Sequence, residues 1–204
     1  HKIISISENR FVSLSSVKVS KKAKLLSQKI GKPEELCQLI LDNSRKVIKS
    51  TNDVIITENK LGVITANAGI DQSNIDKKDA VLLLPINPNI SARRISKAIY
   101  KETKKDIGII ISDSIGRPWR LGLTQVSIGS YGILPIKKYK KDIYKNSLYD
   151  TDIPIVDEIA SAAGILMEKD IGIPVVLIKG YNYIKSNKNS NILLRSDKND
   201  IFKW

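Results

Sequence analysis

The run Asp106-Ile-Gly-Ile-Ile-Ile-Ser-Asp113-Ser114-Ile-Gly116-Arg117-Pro118-Trp119-Arg120 constrains the fold more than any other stretch of the chain. Isoleucine is β-branched and stiff at χ1, and the apolar run from Ile107 to Ile111 is short, so it predicts a buried strand. The strand is expected to stop at Ser112-Asp113-Ser114 and break into a Gly/Pro loop that carries Arg117 and Arg120. A carboxylate and two hydroxyls at a strand end suit a hard cation such as Mg²⁺, which takes oxygen ligands. Guanidiniums clamp phosphates and carboxylates bidentately. Each residue alone reads as a turn cap or a solvated charge. Together they predict a site.

Composition matters mainly through what it excludes. With 204 residues the chain has room for one large domain or two small lobes around a sizeable core. A hydrophobic share of 42% beside 27% charged residues fits a globular protein. No apolar run approaches the roughly 20 residues that span a bilayer, and no signal peptide is evident. Cys37 is the only cysteine, so no internal disulfide can form, and a cytoplasmic setting is expected. The net charge of +13 could mean nucleic acid, but the lysines are scattered and aromatic residues are only 5%. Most of that charge reads as solvated surface with a modest attraction for anionic substrates. Neither a nucleic acid nor a membrane is expected as a partner.

The chain opens on His1-Lys-Ile-Ile-Ser-Ile-Ser, which alternates like a strand and looks like the middle of something longer, so a fragment is expected. His1 reads as incidental. Residues 19–31 predict a helix capped by Ser20 and stopped by Gly31, with Ala23, Leu25, Leu26 and Ile30 facing inward. A second helix opens at Pro33 with Glu34 and Glu35 at its positive end. Leu36, Leu39, Ile40, Val47 and Ile48 supply its apolar face, and Cys37 reads as core.

Residues 54–57 and 62–66 predict a hairpin. It leads into Asn67-Ala-Gly69-Ile-Asp71-Gln-Ser73-Asn74, a second polar cluster directly after a strand. Turns rich in Asn, Asp and Ser commonly look like this. The cluster gains weight because Asp71 would offer Asp113 a partner for a shared cation. Residues 81–84 predict another buried strand, and a helix is expected from Ala92 to Lys105 with Asn89 or Ser91 as its cap. Ile95, Ala98 and Ile99 would face inward. Arg93 and Arg94 would then sit in the first turn, opposing the helix dipole, which a bound anion would relieve. Residues 126–134 predict a strand, 137–145 a basic loop, and a helix is expected from Pro154 to about Met167. Val175 to Ile178 predicts a last strand, and residues 185–204 a partly flexible tail.

The motifs Ala66-Asn-Ala-Gly-Ile-Asp-Gln-Ser-Asn74, Leu83-Leu-Pro…Ser91-Ala-Arg-Arg94, Ile111-Ser-Asp-Ser-Ile-Gly-Arg-Pro-Trp-Arg120 and Gly172-Ile-Pro-Val-Val176 occur in order. Together they resemble the coenzyme F420-0:L-glutamate ligase family, the gamma-glutamyl ligases of deazaflavin biosynthesis, from about residue 1 to Gly180. The resemblance implies an α+β fold of mixed sheets with flanking helices, one ligase domain over 1–204 that lacks an N-terminal segment, no Walker loop, and an intertwined homodimer. It implies a GTP-dependent ligase that phosphorylates the free carboxylate of the deazaflavin precursor F420-0, releases GDP, and lets the amine of L-glutamate displace phosphate.

The same resemblance brings metal ligands to Asp71, Asp113 and Ser114, holding two Mg²⁺ or Mn²⁺ ions, with K⁺ as a further candidate. Asp71, Asp113, Arg117 and Arg120 become the catalytic candidates. GTP contacts fall on Asn74, Lys2, Glu168, Lys169 and Asp170, and Arg93 and Arg94 are candidates for substrate anions. Phosphoryl transfer suits such residues, because it depends on positioning and charge neutralisation.

The chain departs from the family pattern at Ile6, where lysine is usual, and at Glu168-Lys169-Asp170, where the family has a nucleotide and metal loop. It also departs at Gln125 and at Tyr144-Lys-Asn-Ser-Leu148. Two alternatives follow from these changes: a diverged ligase for another carboxylate, and a basic binding protein that has lost catalysis.

Overall fold

The computed structural model describes residues 1–77, 79–149 and 151–200. Residues 201–204, the end of the expected tail, lie outside them. The described residues form an α+β structure of five α-helices and small sheets, divided into two compact units. The first comprises His1–Ile86 and the segment Ile115–Leu123; the second comprises Asn87–Ser114 and the chain from Thr124 onward.

In the first unit, helix α1 covers Lys2–Ser7, where the Ile-Ser alternation predicts a strand. Only Ser5 of this helix is buried, while Ile3 and Ile6 are exposed, so the alternation does not mark a sheet face. Its end is pinned to the chain after residue 82. Arg10 Nε donates to the Leu84 carbonyl at 2.9 Å, and the Ile86 N–H donates to Glu8 Oε2 at 3.0 Å. Strand β1 (Phe11–Ser13) pairs antiparallel with β5 (Ala80–Leu82).

Helix α2 (Lys21–Ile30) begins as the sequence predicts, with the Ala23 N–H donating to Ser20 Oγ at 3.3 Å, and it ends at Gly31. Leu25 does not face inward; it is 67% exposed. Helix α3 (Glu34–Asp42) buries Leu36, Cys37, Leu39 and Ile40. It stops before Val47 and Ile48, because Asn43 ends it and the chain turns into β2 (Ser44–Ser50). There β2 pairs antiparallel with β3 (Ile55–Asn59), which pairs antiparallel with β4 (Ile64–Ala66). Sheet pairing thus claims two residues that also fit a helical period. Ala23, Ile30, Leu36, Cys37, Ile40, Ile55 and Val81 form the core of this unit.

In the second unit, helix α4 runs from Pro88 to Thr103 and starts four residues before the expected Ala92. Its cap is Asn87, whose Oδ1 accepts from the Ile90 N–H at 3.1 Å, with Pro88 pre-set for the first turn. Ser91, Ala92 and Ser96 are its buried residues besides Pro88, and Ala98 is exposed.

Strand β6 (Ile109–Arg117) does not stop at Ser112. It continues through Asp113 and Ser114 to Arg117, turns at Pro118-Trp119, and returns as β7 (Arg120–Tyr131). Proline fixes one φ of that turn and Trp119 takes the left-handed φ of +59°, so two residues reverse the chain. Ladder pairing then extends both strands beyond their apolar runs. Of the isoleucines in β6 only Ile111 is fully buried. The hairpin tip, 115–123, counts with the first unit.

Short strands β8 (Lys137–Lys138) and β9 (Asp152–Ile153) pair antiparallel, and helix α5 covers Ile155–Met167. Val175 to Ile178 is not a strand. Val175 is 66% and Leu177 68% exposed, and among the described residues no strand claims this segment. Part of the tail docks on β7. Buried Ser190 Oγ lies 2.5 Å from Ser127 Oγ and donates to Ser130 Oγ at 2.9 Å.

Candidate functional site

Asp71 is placed by backbone geometry. Asn67, Ala68 and Gly69 all take left-handed φ values of +50°, +56° and +73°. Gly69 answers a double demand, since a Cβ there would also lie 2.6 Å from Leu84 Cδ1. The turn returns Asp71 to β5, where its N–H and carbonyl exchange 2.9 Å hydrogen bonds with Leu82. The Asp71 carboxylate meets His1 Nε2 at 2.8 Å and Lys2 Nζ at 3.4 Å. Lys2 also donates to the Ser73 carbonyl at 2.7 Å. His1, incidental by sequence, is therefore a direct partner of the aspartate, and its side chain is only 5% exposed. Nothing in the local sequence signals this, because 70 positions separate the two.

Burial pushes the Asp71 carboxyl up, but the hydrogen bond from His1, its charge interaction and the Lys2 ammonium outweigh it and hold the pKa below the usual range. A depressed carboxyl contributes stability above its unfolded-state pKa and loses it as pH falls through the folded value. For His1→Ala we expect a loss of about 1 kcal/mol at about pH 7 that fades as acid protonates the Asp71 carboxyl, read by denaturant unfolding across pH. A loss that stays constant as that carboxyl is protonated would mean that the His1 ring contributes only packing.

In the second unit, Asp113 and Ser114 stand side by side on β6, and the Ser114 N–H donates to Asp113 Oδ1 at 2.7 Å. Ser114 Oγ receives two donors, Gln125 Nε2 at 2.9 Å and Lys169 Nζ at 2.7 Å. Gln125 is delivered by the return strand and held by α5. Ser161 Oγ donates to its carbonyl at 2.9 Å, and Gly164 leaves room for its side chain, since a Cβ there would lie 2.6 Å from Gln125 Cγ. By sequence, Gln125 stands out only as a departure from the family pattern. The signal that finds it is the tight turn at Pro118-Trp119, which folds residues around 124 back beside 112–114.

Lys169 arrives because α5 ends at Glu168, whose φ of +41° breaks the helix and turns the chain. Glu168 and Asp170 are exposed beside it. Near the start of α5, burial pushes the Asp157 carboxyl up, partly offset by the Ser127 N–H at 2.8 Å.

The remaining candidates are spread out. Arg117 and Arg120 flank the hairpin turn in solvent, with Arg117 Nη2 on the Leu121 carbonyl at 3.3 Å. Asn74 is exposed with a left-handed φ of +53°. Arg93 and Arg94 lie in the second turn of α4, so the opposition to the helix dipole that suggests a bound anion is weaker than the sequence predicts. Arg93 lies 5.9 Å from the Tyr131 ring centroid and borders a polar pocket shared with Asn87, Asn89, Ser130, Asn189 and Asn191. Asp71, Lys2, Asn74, Arg117 and Arg120 belong to the first unit; Arg93, Arg94, Asp113, Ser114 and the 168–170 loop belong to the second. Among the described residues no three His, Cys, Asp or Glu side chains gather as a metal cluster, and no helix is long and apolar enough to cross a membrane.

These features define an α+β protein whose oxygen-bearing side chains on β6 and beside β5 each hold a lysine ammonium, with no Gly-x-x-x-x-Gly-Lys sequence anywhere. Residues 1–180 match the model of the F420-0:Gamma-glutamyl ligase family, and the chain belongs to that family. It is similar to the coenzyme F420:L-glutamate ligase of Methanocaldococcus jannaschii, 41% identical over 204 residues that cover 98% of this chain and 81% of the relative. The enzyme of the same name from Methanothermobacter thermautotrophicus is 36% identical over 206 residues, covering 98% and 81%. That of Methanopyrus kandleri is 32% identical over 210 residues, covering 100% and 83%.

Proposed function

We propose that this chain is a ligase that joins L-glutamate to the deazaflavin precursor F420-0 at the expense of GTP. The observation that carries the reading is similarity along nearly the whole chain to ligases of that name, with Asp113 and Ser114 paired on β6 inside one of the matching motifs. In the proposed reaction a carboxylate oxygen of the acceptor bonds to the γ-phosphorus of GTP, and the bond to GDP breaks. The glutamate amine then attacks the acyl carbon, phosphate leaves, and the amine gives up a proton. Both steps gather negative charge on phosphate oxygens, so neutralisation and alignment are the main needs.

Taken unit by unit, the donors present fit a hard divalent cation: Asp71 in the first unit, and Asp113 with Ser114 in the second, offer only oxygen, and nucleotide phosphates commonly complete a coordination shell. An ammonium within 3.4 Å of Asp71 and another 2.7 Å from Ser114 support the view that these groups attract cations. Bound Mg²⁺ or Mn²⁺ would supply charge neutralisation at the transferring phosphoryl group. Lys2, Asn74 and the 168–170 loop are the proposed nucleotide contacts. Arg117 and Arg120, exposed at the hairpin turn, are available to clamp anions, and Arg93 is available beside its amide-lined pocket.

The full chain incubated with GTP, Mn²⁺, L-glutamate and the deazaflavin acceptor should yield a glutamylated product by mass spectrometry, with GDP formed in equal amount. GDP formation without glutamylated product would point to a different acceptor. No GTP turnover in any combination would overturn the reading.

A homodimer belongs to the same proposal. It is supported by the exposed Val175, Leu177 and Ile178, an apolar segment outside every strand. Light scattering at micromolar concentration should give twice the chain mass; a monomer would remove this part of the proposal.

A further inference from the structure

A serine hydroxyl has two acceptor lone pairs and one proton. At Ser114 both acceptor positions are taken, one by Gln125 Nε2 at 2.9 Å and one by Lys169 Nζ at 2.7 Å. A metal ion bound to this oxygen needs one of those lone pairs, so one donor has to leave. The two are not equivalent. Gln125 is neutral and held by α5 through Ser161 and Gly164, whereas Lys169 is a compact unit charge on a flexible stem from an exposed loop. While the ammonium stays, a divalent ion approaching Ser114 meets like charge as well as a filled hydroxyl.

We propose that the Lys169 ammonium is the resident cation at Ser114 Oγ, a tethered charge that takes the place of a second divalent ion. The nucleotide complex then carries one divalent ion per chain. This deepens the metal-dependent GTP reading above and rests on it. It also changes the role of Lys169 from a general nucleotide contact to a charge that sets metal stoichiometry. Asp113, next to Ser114, is the candidate carboxylate of the second unit for the single ion.

The test counts ions rather than turnover. Native mass spectrometry of the full chain with Mn²⁺ and a slowly hydrolysed GTP analogue reads the metal and nucleotide content of each complex. The parent should carry one Mn²⁺ per bound nucleotide. Lys169→Gln keeps an extended side chain, removes the charge and adds a carbonyl oxygen, and it should carry two. Lys169→Arg keeps the charge and should stay at one. Lys169 is exposed, and a cooperative thermal melt of each protein without ligand excludes misfolding as a cause. Two Mn²⁺ in the parent, or one in Lys169→Gln, would overturn the tethered-cation proposal and leave the GTP reading standing. Nucleotide bound without Mn²⁺ in all three would overturn the metal reading beneath it.

Discussion

Replacing Asp113 with Asn is expected to cut turnover by at least about a hundredfold, since metal-assisted charge stabilisation is worth several kcal/mol. Folding should change little. Asp113 Oδ1 accepts from the Ser114 N–H, and the amide oxygen of Asn can accept the same bond in the same space. What disappears is one negative charge beside the Ser114–Lys169 contact. Melting with Mn²⁺ and GTP separates the roles. Ligand that binds only the folded state raises the melting temperature by mass action, and at about a hundred times its Kd the gain is about 2.7 kcal/mol. That rise should appear in the parent and be lost in Asp113→Asn. An equal rise in both proteins, or retained turnover in the variant, would reduce Asp113 to a local backbone cap.

The largest expected loss of stability is at Gly129. A Cβ on this residue of β7 would lie 2.5 Å from the carbonyl carbon of Pro88, 2.6 Å from Pro88 Cβ and 2.8 Å from the Asn89 nitrogen. Two of these atoms are backbone in the first turn of α4, and the third is locked in a proline ring, so none can rotate away. The junction is also held by Asn89, whose Oδ1 accepts from the Ser130 N–H at 2.9 Å. For Gly129→Ala the helix start has to move off the strand, and overpacking of this kind costs about 3 kcal/mol. In a chain of this size that lowers the melting temperature by about 6–12 °C. Gly116→Ala is the matched control. Its Cβ would find only Leu123 Cδ2 at 4.0 Å, so it should melt close to the parent. If the two variants melt alike, the close approach at Gly129 is not what holds α4 to the sheet.

Local chemistry was legible in the sequence wherever one residue decides the backbone. Ser20 and Gly31 bound α2, Pro33 opens α3, and the apolar spacing of Leu36, Leu39 and Ile40 marks the buried face. The two aspartates stood out for the same reason: each lies in a polar cluster directly after an apolar run, which a packing role alone does not call for. Where the sequence misled, competition between elements was the cause. Val47 and Ile48 fit a helical period, but β3 offers a ladder, and the strand wins. Val175 to Ile178 has the composition of a strand, yet among the described residues no strand pairs with it.

What only the tertiary structure decided is which charges face which oxygens. Asp71 is held below the usual carboxyl range because the turn at residues 67–69 brings it to His1 and Lys2, some 70 positions away in the chain. Ser114 meets Gln125 because a two-residue turn folds the hairpin, and it meets Lys169 because Glu168 breaks α5 at the right point. A side chain's own type sets what it can donate or accept. Backbone reversals at distant positions set which partner it finds, and those reversals depend on packing that no single segment of the sequence contains.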